Sequence, residues 1–263
     1  MREEEDVAAK KTGKVPVSVI VLTKNEEANL PGCLESLRFA DQVVVVDSQS
    51  TDRTLAVARR GGAQVFTRPW PGFTAQRNFA VSKCRHDWVL SVDADERVDA
   101  CLAREIGRLM EAGPDCDGYR VPEVNLYCGR WLRRAGIYPS THLILFNRRR
   151  GRFESARADV HEKVEVARVG FLKGHLVHWA YPNAELLMEK LNRYTDLEAR
   201  GRLEKGVRSG LYGFCWRPFY RFLRNYFLKL GFLDGLPGLI YCFQYSFYAF
   251  LTECKLWEAG LRG

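Results

Sequence analysis

The sequence predicts an α/β protein, a mostly parallel sheet covered by helices, with a helical C-terminal extension. Three observations predict it. Short β-branched runs alternate with helix-period segments through the first half. Polar and acidic clusters follow three of those runs. The last 55 residues change character, mixing arginines with aromatics ahead of an uncharged stretch.

The elements follow in order. VSVIVL (17–22) is a continuous apolar run, as expected of a strand buried on both faces. A helix is expected from about Glu27 to Arg38, with Leu30, Leu34 and Leu37 at helical spacing. QVVVVDS (42–48) is a second buried strand, and TDRTLAVARRGG (51–62) a helix closed by glycine. AQVFT (63–67), a helix near 73–84 and the strand DWVLSVDADE (87–96) continue the series. Asp99 begins a further helix, DACLAREIGRLMEAG. From 117 to 180 the pattern is strand-like, including LILF (143–146), KVEVARV (163–169) and LVHWAY (176–181). A polar helix follows from Asn183 to about Lys205.

The 263 residues carry a net charge of +8, and residues 200–229 hold nearly all of it, with eight Lys/Arg against Glu204 alone. The partner of the basic surface therefore belongs to the C-terminal part. Beyond it, Gly235–Thr252 has no charge and is rich in aromatics. A straight helix of that length would reach about 27 Å, but Pro237, Gly238 and Gln244 interrupt it. Basic–aromatic sequence leading into aromatic–apolar sequence suits a membrane interface. A helical pair packed on the core is the competing reading, and whether 235–252 spans or lies on a bilayer stays open. The eight cysteines include no CxxC pair, so they read as reduced, structural and cytosolic. The N-terminal MREEEDVAAKKTGK lacks the apolar core of a secretory signal.

Parallel sheets bind ligands at the C-terminal ends of their strands. TKNEE, DSQSTD and DADE fall at such ends. No GxGxxG follows the first strand and no GxxxxGK[ST] occurs, which removes the main support for dinucleotide or P-loop chemistry. Asp93 and Asp95, two residues apart at a strand end, suit a hard divalent cation able to bridge a diphosphate.

VSVIVLTKNEE, VVVVDSQSTDRT, QRN (76–78) and LSVDADE, in this order and spacing, resemble the family 2 inverting glycosyltransferases. GRW (129–131), Tyr138-Pro139, LILFNRRRGRFESARADVHE and HWAY resemble the lipopolysaccharide core glucosyltransferase branch. The resemblance implies a single Rossmann-like domain of the glycosyltransferase A type, expected over 15–182, after a flexible 1–14. A basic, aromatic, membrane-associating helical region is expected over 183–263.

The resemblance also implies roles. Thr23, Glu26 and Asp47 would face the nucleoside, although relatives often have two consecutive acids where this chain has Asp47-Ser48. Arg77 would approach the nucleotide or its diphosphate. Asp93 would meet ribose or a metal-bound water, and Asp95 the metal itself, Mg²⁺ or Mn²⁺. His178 is either a late metal ligand or a structural histidine. Glu162 matches the base position, with Asp159 and Glu154 as rivals. His161, Trp131 and Arg149 are acceptor candidates, the last within the cationic loop Arg148–Arg152; a plain charged surface is the alternative there. The implied reaction moves a sugar, expected to be glucose, from a UDP-sugar to a lipopolysaccharide-core or other lipid-linked anionic acceptor. The implied location is the inner face of the cytoplasmic membrane, and no nucleic acid is expected. Nucleotidyl transfer, a nucleic-acid-binding protein and an inactive sugar-nucleotide binder are the competing readings.

Overall fold

A computed structural model describes residues 13–127, 129–155, 162–181 and 184–261. They form two compact units. One comprises the chain up to Val121 together with Leu143–Gly174; the other comprises Pro122–His142 and the chain from His175 onward.

The first unit opens with β1 (Val15–Thr23), α1 (Leu30–Ser36), β2 (Ala40–Asp47), α2 (Thr54–Arg60), β3 (Gln64–Thr67), α3 (Phe73–Ser82), β4 (Trp88–Asp93), β5 (Glu96–Val98) and α4 (Ala100–Ala112). Next come β6 (Gly118–Tyr127), β7 (Arg130–Trp131), β8 (Ser140–Asn147), β9 (Arg152–Ser155), β10 (Glu162–Glu165), β11 (Val169–Phe171) and β12 (Leu176–Tyr181). The strand order from one edge is β3-β2-β1-β4-β8-β6. β3, β2, β1 and β4 run parallel, β8 is antiparallel to β4, and β9 and β10 form a separate antiparallel ribbon.

β1 is buried on both faces, which explains its unbroken apolar run. Ile20 packs in a cluster with Val44, Val46, Ala80 of α3 and Phe146, and Leu22 borders it. Val19 and Val21 point to the opposite face and are fully buried. α4 packs against β1 from that side, with Gly107 beside Val15. The helix starting at Asp99 is present, and the Asp99 carboxylate caps it by accepting the Leu102 N–H at 2.6 Å.

Several expectations change. The first helix begins at Leu30, not near Glu27, because the residues before it belong to a loop network described below. The strand expected over 87–96 breaks at Asp93 into a turn before β5. KVEVARV is divided between β10 and β11. The boundary expected at 182/183 is also displaced. Tyr127 and Leu132 pack with Leu187 and Leu191 of the next helix, so the strands around them belong with the C-terminal helices.

Those helices are α5 (Ala184–Glu204), α6 (Leu211–Leu223) and α7 (Gly235–Leu261), with a π-helical turn at Arg224–Leu228 and a 3-10 turn at Gly231–Asp234 before α7. α7 packs on both α5 and α6. Among the described residues no single helix is long and apolar enough to cross a membrane. Leu211–Leu228 and Gly231–Leu261 together are, but they bend by 71°. Glu253 of α7 is 1% exposed and accepts from Arg202 of α5 and Arg217 of α6, both at 2.5 Å. Gly213 of α6 leaves room for it, since a Cβ there would overlap the carboxylate.

Removing one partner of a buried ion network leaves the others uncompensated, typically at about 3–5 kcal/mol. Glu253→Ala is therefore expected to lower unfolding stability by that order in denaturant titration, since Arg202 and Arg217 both lose this carboxylate and Arg217 keeps only the Glu198 pair at 3.9 Å. A loss under about 1 kcal/mol, the level of exposed pairs, would contradict the assignment.

Candidate active site

The ends of β2, β1 and β4 lie side by side: Thr23 pairs with Asp47 in register, and Leu22 with Asp93. Asp47 is fully buried. Its Oδ1 accepts from the Thr23 hydroxyl at 2.9 Å and the Ser50 hydroxyl at 2.5 Å, and its Oδ2 accepts the Ser50 N–H at 2.8 Å. A buried carboxylate is tolerable only when hydrogen-bonded in this way.

The two loops that follow β1 and β2 are laced together. Asn25 N–H donates to the Ser50 hydroxyl at 2.8 Å, and Thr51 N–H donates back to Asn25 Oδ1 at 2.9 Å. Glu26 N–H donates to Thr54 Oγ1 at 2.7 Å. Glu27 N–H meets Asp52 at 3.2 Å, while Glu27 Oε2 accepts the Arg53 N–H at 2.9 Å. Asn25 and Gln49 hold left-handed backbone, with φ of 56° and 60°. Non-glycine residues keep such angles where surrounding bonds over-determine them, often at functional sites.

At the end of β4, Arg77 of α3 donates to Ser91 Oγ at 2.8 Å and to Asp93 Oδ1 at 3.0 Å. The Asp93 N–H donates to Glu96 Oε2 at 2.7 Å, which tightens the Asp93–Glu96 turn. Asp93 remains half exposed at 47%, and Asp95 follows in the turn, half-buried. Cys33 Sγ approaches the Asp93 carbonyl at 3.6 Å, and burial pushes that thiol well above its ordinary value, so it stays protonated and inert.

The structure therefore gathers Thr23, Glu26, Asp47, Arg77, Asp93 and Asp95 in the first unit. Thr23 and Asp47 were expected to face a nucleoside; both are buried and bonded to each other, shaping the loops at the site. Ser50, Thr54, Ser91 and Glu96 were missed. The strand-end position of DSQSTDRT was the signal for the first two; their bonds to Asn25 and Glu26 across the paired loop lie more than 20 residues away in sequence.

Arg149 does not join this group. Asn147, at the end of β8, pairs with Trp88 at the start of β4, so the arginine turn lies at the end of β4 away from Asp93. Arg149 there bonds Asp87 at 2.7 Å, Arg148 donates to the Cys84 carbonyl, and Arg150 pairs with Asp117 at 2.7 Å. These arginines of the acceptor-candidate loop thus bond this unit's own acids and carbonyls. The Arg150 guanidinium holds the Asp117 carboxyl below its ordinary range.

Glu162 opens β10 opposite Ser155, and only its backbone is described. His161 and Asp159 lie outside the described residues. Glu154 is paired with Arg152 at 3.0 Å, which makes it a weaker rival for the base.

Trp131 and His178 belong to the second unit. Arg133 lies 4.3 Å over the Trp131 ring, with Tyr138 and His175 edge-on, so this indole packs against its neighbours instead of offering an open stacking face. His178 Nδ1 bonds Glu123 Oε1 at 2.5 Å, and His142 Nε2 bonds Glu123 Oε2 at 2.9 Å. Burial pushes the Glu123 carboxyl up. The two imidazole hydrogen bonds more than reverse this and hold it well below the usual carboxylate range.

A polar sheet edge with paired carboxylates beside an arginine is the kind of strand-end cluster at which α/β proteins bind ligands. Residues 18–166 match Glycosyl transferase family 2. The lipopolysaccharide core biosynthesis glycosyltransferase LpsC of Rhizobium meliloti is 32% identical over 252 residues, 93% of each chain. A glycosyltransferase of Rickettsia typhi is 29% identical over 258 residues, 94% of this chain and 88% of its own. Among solved structures, the mannosyltransferase PcManGT from Pyrobaculum calidifontis, in complex with GDP-Man and Mn²⁺, superposes with a TM-score of 0.54. Its identity is 16%, and the match covers 94% of this chain and 88% of that one. The chain belongs to glycosyl transferase family 2 and is a transferase of the glycosyltransferase A fold.

The Glu123 trio gives a pH signature. Its folded pKa lies below the unfolded one. The stability it contributes is therefore fully present above the ordinary value of 4.5 and is lost as pH falls through the folded value. The unfolding free-energy gap between wild type and Glu123→Gln is expected to hold steady above pH 4.5 and to shrink on further acidification. A gap that widens in acid would contradict the carboxylate's charged state.

Proposed function

We propose that this transferase moves glucose from a UDP-sugar to a hydroxyl of the lipopolysaccharide core or another lipid-linked anionic acceptor, with inversion and with Mg²⁺ or Mn²⁺. The acceptor is met at the inner face of the cytoplasmic membrane. The observation that carries this reading is the row of strand ends bearing Arg77 against Asp93, with Asp95 in the turn beyond. The role of LpsC in lipopolysaccharide core biosynthesis supports the acceptor class. The GDP-Man and Mn²⁺ held by the Pyrobaculum mannosyltransferase, on the same fold, support a sugar nucleotide with a metal.

The donor set fits the ion: Asp93 and Asp95 present carboxylate oxygens, which suit a hard divalent cation. When bound, the ion offsets charge developing on the departing diphosphate. Arg77, already fixed by Ser91 and Asp93, adds a preorganised cation beside those carboxylates. The laced loops bearing Thr23 and Glu26 shape the place for the nucleoside. In the transfer, the acceptor oxygen bonds to the anomeric carbon as the bond from that carbon to the diphosphate breaks. The electron pair leaves with UDP, and the hydroxyl proton passes to the Glu162 carboxylate.

Turnover assays with UDP-glucose and lipopolysaccharide core test this reading. Asp95→Ala is expected to abolish metal-dependent turnover. Glu162→Gln is expected to keep donor binding and lose about 10²–10⁴-fold in rate, the span of a general base. Transfer that survives in Glu162→Gln and disappears in Asp159→Asn would move the base to Asp159.

A further inference from the structure

The bend between α6 and α7 carries a dense apolar set. Within ten residues, Phe227, Leu228, Leu230, Phe232, Leu233 and Leu236 are all exposed, Leu228 at 75% and Leu236 at 67%. Bare side chains of this kind usually accompany loose backbone, but this backbone is anchored. Asn225 and Gly231 are buried, and the Lys229 carbonyl accepts the Ala135 N–H at 3.0 Å. Asp234 Oδ2 accepts the N–H groups of Arg133 and Arg134 at 3.0 and 2.8 Å. An exposed apolar patch on fixed backbone marks an interaction surface.

Charge identifies the partner. The same anchoring brings exposed cations to the rim. Arg133 and Arg134 sit where Asp234 holds their backbone, and the Lys229 side chain lies over Gly136. The nearest acid, Asp234, is occupied by its two backbone donors. Apolar residues projecting beyond a collar of Arg and Lys match a leaflet with anionic headgroups, since the tip enters the acyl boundary while the cations meet phosphate. A protein partner of the same apolar character would gain nothing from this single-sign collar.

We propose that the α6–α7 bend is a membrane wedge that seats in an anionic lipid surface, with Leu228, Leu233 and Leu236 entering the leaflet and Arg133, Arg134 and Lys229 on its headgroups. The proposal deepens the membrane part of the function above and is independent of its donor chemistry.

Flotation of the full chain with vesicles tests it. The probes are phosphatidylcholine alone and phosphatidylcholine with roughly a third phosphatidylglycerol. Wild type is expected to float with the anionic vesicles and to stay behind with the neutral ones. Leu228→Glu with Leu233→Glu is expected to weaken anionic-vesicle binding by at least about tenfold, since each places a charge in the apolar boundary. Arg134→Gln with Lys229→Gln, substitutions of exposed side chains, is expected to weaken the same binding and to leave folding intact. UDP binding by the same samples, expected unchanged, separates a failed wedge from a failed donor site. Equal flotation by wild type and both variants would overturn the proposal, as would a wild type that binds neither vesicle. A dimer that the Leu228→Glu pair dissociates, with no vesicle binding, would reassign the tip to self-association.

Discussion

Asp47, a carboxylate without solvent contact at the end of β2, holds together the strand exits beside which the proposed donor site lies. Thr23 bonds it from the neighbouring strand and Ser50 from the loop beyond. These bonds fix the exits of two adjacent parallel strands relative to each other. The loops that leave them then lace through Asn25, Glu26, Glu27, Ser50, Thr51 and Thr54. The strain of left-handed Asn25 and Gln49 is held by that lacing. A site built in this way needs little rearrangement on binding, which is the condition for electrostatic catalysis to be effective.

Much of this was legible in the sequence, for a definable reason. Buried parallel strands announce themselves as β-branched runs, and Asp99 announces a helix start, because both depend on residues close in the chain. The position of Asp93 and Asp95 at a strand end was legible too, since alternation and strand length place them there. Long-range pairing was not legible. Nothing local shows that Arg149 meets Asp87 or that Arg150 meets Asp117, so the arginine run looked like an anion site when it is an internal clamp. The early start expected for the first helix had the same origin: Glu26 and Glu27 have good helix propensity, but their backbone N–H groups serve Thr54 and Asp52. The burial of Asp47 was hidden because a strand-end aspartate reads the same whether it faces a ligand or a neighbouring threonine.

The second unit follows a different logic. Its segments come from two stretches of chain, Pro122–His142 and the residues after Gly174, so a single linear boundary could not describe it. Its polar groups are concentrated inward. Glu253 gathers arginines from two helices, and Glu123 gathers two histidines. Its aromatics and leucines, by contrast, stay largely exposed along α6 and α7. The uncharged 235–252 stretch is thus one side of a packed helical pair that leaves apolar side chains such as Phe243 and Phe250 exposed.

Under the proposed function, the strand-end cluster around Arg77, Asp93 and Asp95 binds a uridine sugar nucleotide together with a divalent metal. Calorimetric titration of the full chain with UDP-glucose and GDP-mannose, each with Mn²⁺ and with EDTA, tests it most directly. The account predicts binding of UDP-glucose that requires Mn²⁺ and is lost in Arg77→Ala. Folded protein that binds neither nucleotide, or binds UDP-glucose equally well in EDTA, would contradict it.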